Sequence, residues 1–350
     1  MSCLVRVSAL AYGGALLGEV VEGAPEQIGK RAFVRFAAPQ ELVRISVDRE
    51  EKRLIEGSLV EVVEPSTHRV PPLCEYFGTC GGCDLQHIDI VSQRELKRSM
   101  VESTLRRQGG ITPREGVALS QAELPAFSYR SRITLHLSKE GELGFYRPGT
   151  GIVVPIESCK IAAPALNEAL RALQTLIVDL KADCGAIVLE QDPTGGVGVL
   201  LIPRAGHEGR LQPPPRMAEH FSRVSVRGRA REDNEEPDSL GHFSQVNAIG
   251  NAELIKLALE YTTHSDITDL YAGAGNFSIP LGALGRNVSA VELDSTLVAA
   301  GRKVAELRGI STVSFVQSSC ESYVKRNQLY RSVLLDPPRS GAREVVRLFD

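Results

Sequence analysis

No apolar stretch in this 350-residue sequence approaches the roughly 20 residues that a membrane-spanning helix needs. Residues 1–18 hold glycines and Arg6 but no long apolar core, so a secretory leader is not expected. A charge surplus is missing as well. The formal net charge is −3, and none of the expected domains is basic overall, so contact with nucleic acid must come from local patches. Internal repeats and low-complexity tracts are absent. Seven cysteines, an odd number, argue against a disulfide framework. Together these gaps exclude membrane proteins and secreted disulfide scaffolds, and the expectation is a soluble cytoplasmic protein with no membrane partner. Oligomeric state leaves no mark on the sequence.

What is present suffices for more than one core, at 43% hydrophobic and 24% charged residues, and the length suggests two or three domains. Residues 1–65 read as short strands at 34–36, 43–47 and 59–63, punctuated by Gly13, Gly14, Gly23, Pro39 and Gly57. That pattern predicts a small β-barrel, a shape often used to bind oligonucleotides. Residues 65–72 read as a linker. An amphipathic helix follows over 91–108, with Leu96, Met100 and Leu105 on one side, then strands at 133–137 and 152–156 and a helix over 167–180. Pro213–Pro215 and the acidic loop 232–238 mark a boundary near residue 240. Beyond it, helices at 248–262, 277–284 and 295–308 alternate with strands at 267–271, 288–292, 313–316 and 333–336. The first helix carries Ile249, Ala252, Ile255 and Leu259 on one face. Such alternation implies a parallel sheet covered by helices on both faces. The expected fold is therefore multidomain α/β: a barrel at 1–65, a central α+β domain at 66–240, and a doubly wound, Rossmann-like domain at 241–350.

The chemistry concentrates in two places. Asp269-Leu-Tyr-Ala-Gly273-Ala-Gly275 ends the first strand of the parallel sheet, where glycines permit a tight turn and close backbone approach to a ligand. Ser278 stands where a dinucleotide fingerprint has its third glycine, which disfavours a nicotinamide site. Glu292 closes the next strand, where a carboxylate can accept both ribose hydroxyls, and Asp336-Pro-Pro-Arg follows a later strand at the same edge. The second place is Cys74-x5-Cys80-x2-Cys83, three thiols threaded with Gly78, Gly81 and Gly82. Cys159 is the natural fourth ligand. Four thiolates suit zinc or a [4Fe–4S] cluster, and the three-plus-one spacing leans toward iron–sulfur. Cys3, Cys184 and Cys320 are scattered and read as small apolar residues.

In combination these motifs resemble the iron–sulfur-containing 5-methyluridine (uracil-C5) RNA methyltransferases, 23S rRNA type, and the likeness runs along nearly the whole chain. The barrel resembles a TRAM domain. Pro72-Leu-Cys74 through Cys83-Asp-Leu-Gln86-His87 resembles the family's cluster loop, and Tyr129-Arg130-Ser-Arg132 with Leu143-Gly-Phe-Tyr146 its central domain. Phe243-Ser-Gln245-Val-Asn247, Asp269 to Phe277, and Leu-Leu-Asp336-Pro-Pro-Arg-Ser-Gly341 resemble its methyltransferase motifs.

The resemblance implies S-adenosylmethionine as cofactor, a class I methyltransferase domain, and RNA as partner, ribosomal ahead of transfer RNA. It implies that Gln245, Tyr271, Gly273, Gly275, Asn276, Glu292 and Asp336 hold the cofactor. Ser319 stands at a further cofactor position, where an amide or acid is expected. It also implies covalent catalysis, in which a cysteine thiolate adds to uracil C6 and a glutamate removes the C5 proton. The family places both beyond the Asp-Pro-Pro-Arg motif, and no match precedes Asp350. On this reading the catalytic residues are absent from these residues, so the chain is a piece of a longer product or an inactive RNA-binding paralogue. Arg94, Lys97, Arg98, Arg106, Arg107, Arg130, Arg132, Arg223, Arg227, Arg229 and Arg231 are candidate phosphate contacts.

Overall fold

The computed structural model describes residues 2–192, 194–228, 240–327 and 332–349. Arg229, Arg231 and the acidic loop 232–238 lie outside the described residues. The chain divides into two compact units, one of Met1–Ala126 with Leu135–Lys160, the other of Phe127–Thr134 with Ile161–Asp350.

In the first unit, β1 (Ser2–Leu10), β2 (Leu16–Glu22), β3 (Arg31–Val34), β4 (Leu42–Glu50) and β5 (Leu54–Glu64) close into a barrel in the order β1-β2-β3-β5-β4. Alternate residues fill it: Val5, Val7, Leu16, Val20, Val34, Val43, Ile45 and Ile55 are all buried. The sequence pattern marks β4 and β5, meets β3 only at Val34, and misses β1 and β2. In β1, Cys3, Leu4 and Val5 are buried in succession, which breaks the alternation that betrays a strand. Beneath the barrel, Glu41 is fully buried and meets Arg69 in two bonds, Nε to Oε1 at 2.6 Å and Nη2 to Oε2 at 2.8 Å. The amide of Ala38 also donates to Glu41, at 2.7 Å. Burial pushes the Glu41 carboxyl up, but the Arg69 bond and the amide hold it below the usual range.

Helix α1 (Ile90–Gly109) starts at Asp89, which accepts from the Ser92 amide at 2.9 Å, and stops at Gly110 in the left-handed region. Of the expected face, Leu96 and Met100 pack on the barrel core and Leu105 does not. Strand β6 (Arg132–Leu137) runs on into this unit and continues antiparallel through β7 (Leu143–Tyr146) and β8 (Val153–Pro155).

In the second unit, α2 (Pro164–Gln174) and α3 (Ile177–Leu180) occupy the predicted helix, divided at Thr175 and Leu176. Strands β9 (Cys184–Gln191), β10 (Val197–Pro203) and β11 (Arg223–Val226) follow. Then comes the alternating series: α4 (Ala248–Tyr261), β12 (Asp266–Leu270), α5 (Ser278–Ala283), β13 (Asn287–Glu292), α6 (Ser295–Leu307), β14 (Val313–Gln317), α7 (Cys320–Arg326), β15 (Ser332–Leu335) and α8 (Arg343–Val346). The four strands pair in parallel in the order β14-β13-β12-β15. Successive strands step outward on one side of β12, and β15 then returns to its other side. The carboxyl end of β12 is therefore a topological switch point, where open α/β sheets take ligands. On α4 the packed face is Ile255, Ala258 and Leu259, whereas Ile249 and Ala252 are exposed. The expected face is thus wrong for its first turn.

Candidate cofactor site

Strand register builds the site. Leu270 of β12 stands level with Val291 of β13 and with Leu335 of β15. The next residue on each strand is therefore Tyr271, Glu292 and Asp336, side by side along one sheet edge. Tyr271 takes a left-handed backbone, φ 63°, unusual for a residue with a side chain, and so ends the strand one residue earlier than the apolar run suggests. Gly275 has φ 92°, and a Cβ there would come within 2.7 Å of the Phe315 ring and 2.9 Å of Ile279. A Cβ on Gly273 would meet nothing within 4 Å. Gly275 is demanded by packing and backbone together, whereas Gly273, at φ 57°, is favoured by its left-handed backbone alone.

A cleft of about 390 Å³ lies over this turn. Gln245, Tyr271, Gly273, Gly275, Asn276 and Asp336 all line it. Gln245 Nε2 donates to Asp336 Oδ2 at 3.2 Å. Glu292 is not in the cleft lining; it is bonded to the glycine turn. Its Oε2 accepts from the Gly273 amide at 3.0 Å, and its Oε1 accepts from Leu293 and Asp294 at 2.7 and 2.8 Å. Ser319 is not in the cleft lining; it caps α7, accepting from the Ser322 amide at 3.2 Å. The sequence did not single out Asn251. It sits on α4 and exchanges two amide hydrogen bonds with Asn276, at 2.8 and 2.9 Å, which fastens the glycine turn to the helix. Only the unusual polar position in an otherwise apolar helical turn hinted at it.

Asp269 is buried beneath the turn and its carboxyl is pushed up to about 7. Desolvation is the main cause, opposed by the Ser278 hydroxyl and reinforced by the negative charges of Asp336 and Glu292. Asp336 and Glu292 thus both bear on the buried Asp269 carboxyl. The Gln245 amide and the Asp336 carboxylate on the cleft wall are a polar, anionic donor set that fits a sulfonium-bearing nucleoside.

The cysteine loop lies in the first unit. The amide of Gly81 donates to the Tyr146 carbonyl at 2.9 Å, and a Cβ on Gly81 would fall 2.7 Å from that oxygen, so only glycine fits. The amide of Gly82 points at Cys80 Sγ, 3.4 Å away. Burial pushes the Cys80 and Cys83 thiols up, and at both of them Cys159 and Cys74 add to the rise. Cys74 and Cys159 thus stand near enough to act on Cys80 and Cys83, and four half-buried thiols are a donor set that suits a soft metal centre in kind. Among the described residues, no group of three or more His, Cys, Asp or Glu closes to metal-holding geometry.

Several candidate phosphate contacts are engaged elsewhere. Arg98 is paired with Glu95 and Glu102, Arg94 donates to the Ser120 carbonyl, and Arg132 is largely buried, its guanidinium on main-chain carbonyls. Arg130 donates to the Arg132 carbonyl at 3.0 Å. Lys97, Arg106 and Arg107 are exposed on α1. No helix among the described residues is long and apolar enough to cross a membrane.

Residues 222–349 match the family model of tRNA (Uracil-5-)-methyltransferase. The 23S rRNA (uracil(1939)-C(5))-methyltransferase RlmD of Chromohalobacter salexigens is 31% identical, over 91% of this chain and 73% of that protein. The RlmD of a Marinomonas species is 32% identical, over 90% of this chain and 77% of that protein. The crystal structure of Pyrococcus abyssi tRNA (uracil-54, C5)-methyltransferase with S-adenosyl-L-homocysteine superposes with a TM-score of 0.69 at 22% identity, over 99% of this chain and 87% of that one, a likeness of fold. A match of that extent, spanning both units and the glycine turn alike, leaves one conclusion: the chain belongs to the family of RNA uracil-C5 methyltransferases.

Proposed function

We propose that this chain binds S-adenosylmethionine in the cleft over Tyr271, Gly273 and Gly275 and serves methylation of uridine C5 in RNA, 23S rRNA first. The observation that carries the reading is the level placement of Tyr271, Glu292 and Asp336 at the switch point of the parallel sheet. In it, Glu292 holds the ribose, Gln245 and Asp336 hold the far side of the cofactor, and Asn276 keeps the turn in place. Ser319 is assigned to the periphery of the same site. The division of labour is a TRAM-like barrel at 1–65 and a central segment at 66–240 that grip RNA, with a Rossmann-like methyltransferase domain at 241–350.

S-adenosylmethionine, when bound, supplies the electrophilic methyl group. Uracil C5 is a poor nucleophile, so the reaction proceeds by thiolate addition to C6, methyl transfer to C5, removal of the C5 proton by a base, and loss of the thiolate. The target base leaves its stack to be reached. None of the seven cysteines is assigned as that thiolate. Cys3 is in the barrel core, and Cys184 and Cys320 are buried with thiols pushed up to about 11 by desolvation.

Cys74, Cys80, Cys83 and Cys159 are assigned to a [4Fe–4S] cluster, zinc being the alternative. Its role is to staple the loop, as structural metal centres do. Anaerobically purified protein should contain iron and sulfide in near-equal amounts; zinc in their place overturns the cluster. The test of the function is transfer of tritiated methyl to unmodified RNA, with the product nucleoside identified. S-adenosylhomocysteine binding with label at uridine C5 supports the reading. Protein that binds RNA but no S-adenosyl ligand rejects it.

A further inference from the structure

Residues 241–247 form a strap without regular structure that leads into α4, and Phe243, Ser244 and Gln245 line the cofactor cleft. On the cleft side Gln245 meets Asp336, and His242 Nδ1 stands 3.3 Å from Asp294 Oδ2. A strap of this kind has main-chain groups that no helix or sheet satisfies, so its shape depends on whatever else satisfies them.

Two side chains behind the strap do so. The Arg132 guanidinium donates to the carbonyls of His242 and Ser244, the second at 3.2 Å. The Glu190 carboxylate accepts from the Gly241 amide at 3.4 Å and from the Ser244 hydroxyl at 3.1 Å. The cation takes the strap's acceptors and the anion takes its donors. Arg132 and Glu190 are 3.8 Å apart, with side chains 14% and 21% exposed, so their bonds are charge-assisted and shielded from water. An exposed ion pair would add little. Ser131, next to Arg132, fixes the strap's end: its amide donates to the Val246 carbonyl at 2.7 Å.

We propose that Arg132 and Glu190 are positioning residues for cofactor binding, which hold strap 241–247 so that Gln245 faces the cleft against Asp336. The proposal rests on the reading of that cleft as the S-adenosyl site.

The experiment uses the full chain as wild type, Arg132→Met, Arg132→Lys, Glu190→Gln, Gln245→Ala and the Arg132→Met/Gln245→Ala double variant. Two quantities are read: hydrogen exchange of the amides in 241–247 without ligand, and S-adenosylhomocysteine affinity by calorimetry. Arg132→Met should speed strap exchange about tenfold and weaken binding about tenfold, the scale of one lost hydrogen bond to a charged group. Arg132→Lys should recover part of both. Gln245→Ala should weaken binding in the wild type yet add less than about twofold in the Arg132→Met background. Should Arg132→Met not fold, Glu190→Gln carries the same two readings. Unchanged strap exchange, or Gln245→Ala losing the same factor in both backgrounds, overturns the positioning role alone. Wild-type protein that does not bind S-adenosylhomocysteine overturns the cofactor reading, and the proposal with it.

Discussion

Ser278 donates its hydroxyl hydrogen to Asp269 at 2.5 Å, while the other carboxyl oxygen of Asp269 is buried with no hydrogen-bond partner. A serine in place of the third fingerprint glycine is thus the one direct support of a buried acid under the ligand turn. Half-satisfied buried acids destabilise a fold when ionised.

The sign of the resulting pH dependence follows. The Asp269 carboxyl is raised in the folded protein to about 7, so the fold binds the proton more tightly than the unfolded chain does. Stability therefore falls as pH rises from about 4 toward 7 and stays low above it. Asp269→Asn should melt several degrees above wild type at pH 8, with the gap shrinking as pH drops toward 4. Calorimetric melts across that range would check it, and an equal gap at every pH would refute it.

The two glycines of the turn should respond differently. Gly275→Ala should abolish S-adenosylhomocysteine binding or weaken it at least about tenfold, because the new methyl overlaps Phe315 and Ile279. Gly273→Ala meets no atom and carries only left-handed strain, about 1 kcal/mol, so its loss should be smaller. Calorimetric titration of both variants separates the two.

Removing Arg69 should leave Glu41 charged and buried. Arg69→Ala should lower stability by about 3 kcal/mol, measured by urea unfolding of the full chain at pH 7. The Glu41 carboxyl is lowered in the fold, so its contribution is present above the ordinary glutamate pKa and is lost as pH falls through the folded value. The variant and wild type should therefore converge in acid.

Cys184 and Cys320 should resist alkylation in the native protein. Their thiols are buried and pushed up to about 11, so little thiolate exists at pH 8. Iodoacetamide followed by peptide mass spectrometry should label neither until denaturant is added. Rapid native labelling of Cys320 would reopen it as a nucleophile.

Much of the parallel-sheet domain was legible because short strands alternate with helices and carry their chemistry at or just past their ends. Asp269, Gly273, Glu292 and Asp336 could be placed from that rule, and register brings three strand ends level. Elements that depend on distant partners were not legible. Strand β1 hides because three buried residues in a row break its alternation. The Glu41–Arg69 pair joins residues far apart in sequence. Asn251 was overlooked because periodicity turned Ile249 and Ala252 inward, and the chain instead turns an amide toward Asn276. Helix α7 has one buried residue, Cys320, too little to show a period. Arg132 read as a phosphate contact because a sequence displays charge and not direction.

The five-stranded barrel has no open margin. Every strand has a bonded neighbour on both sides, so none is left as a free edge strand for a visiting chain to zip onto. Whatever the barrel meets must be greeted by side chains and loop tips. Its choice of partner can therefore be rewritten one surface residue at a time while the core of valines and isoleucines stays as it is.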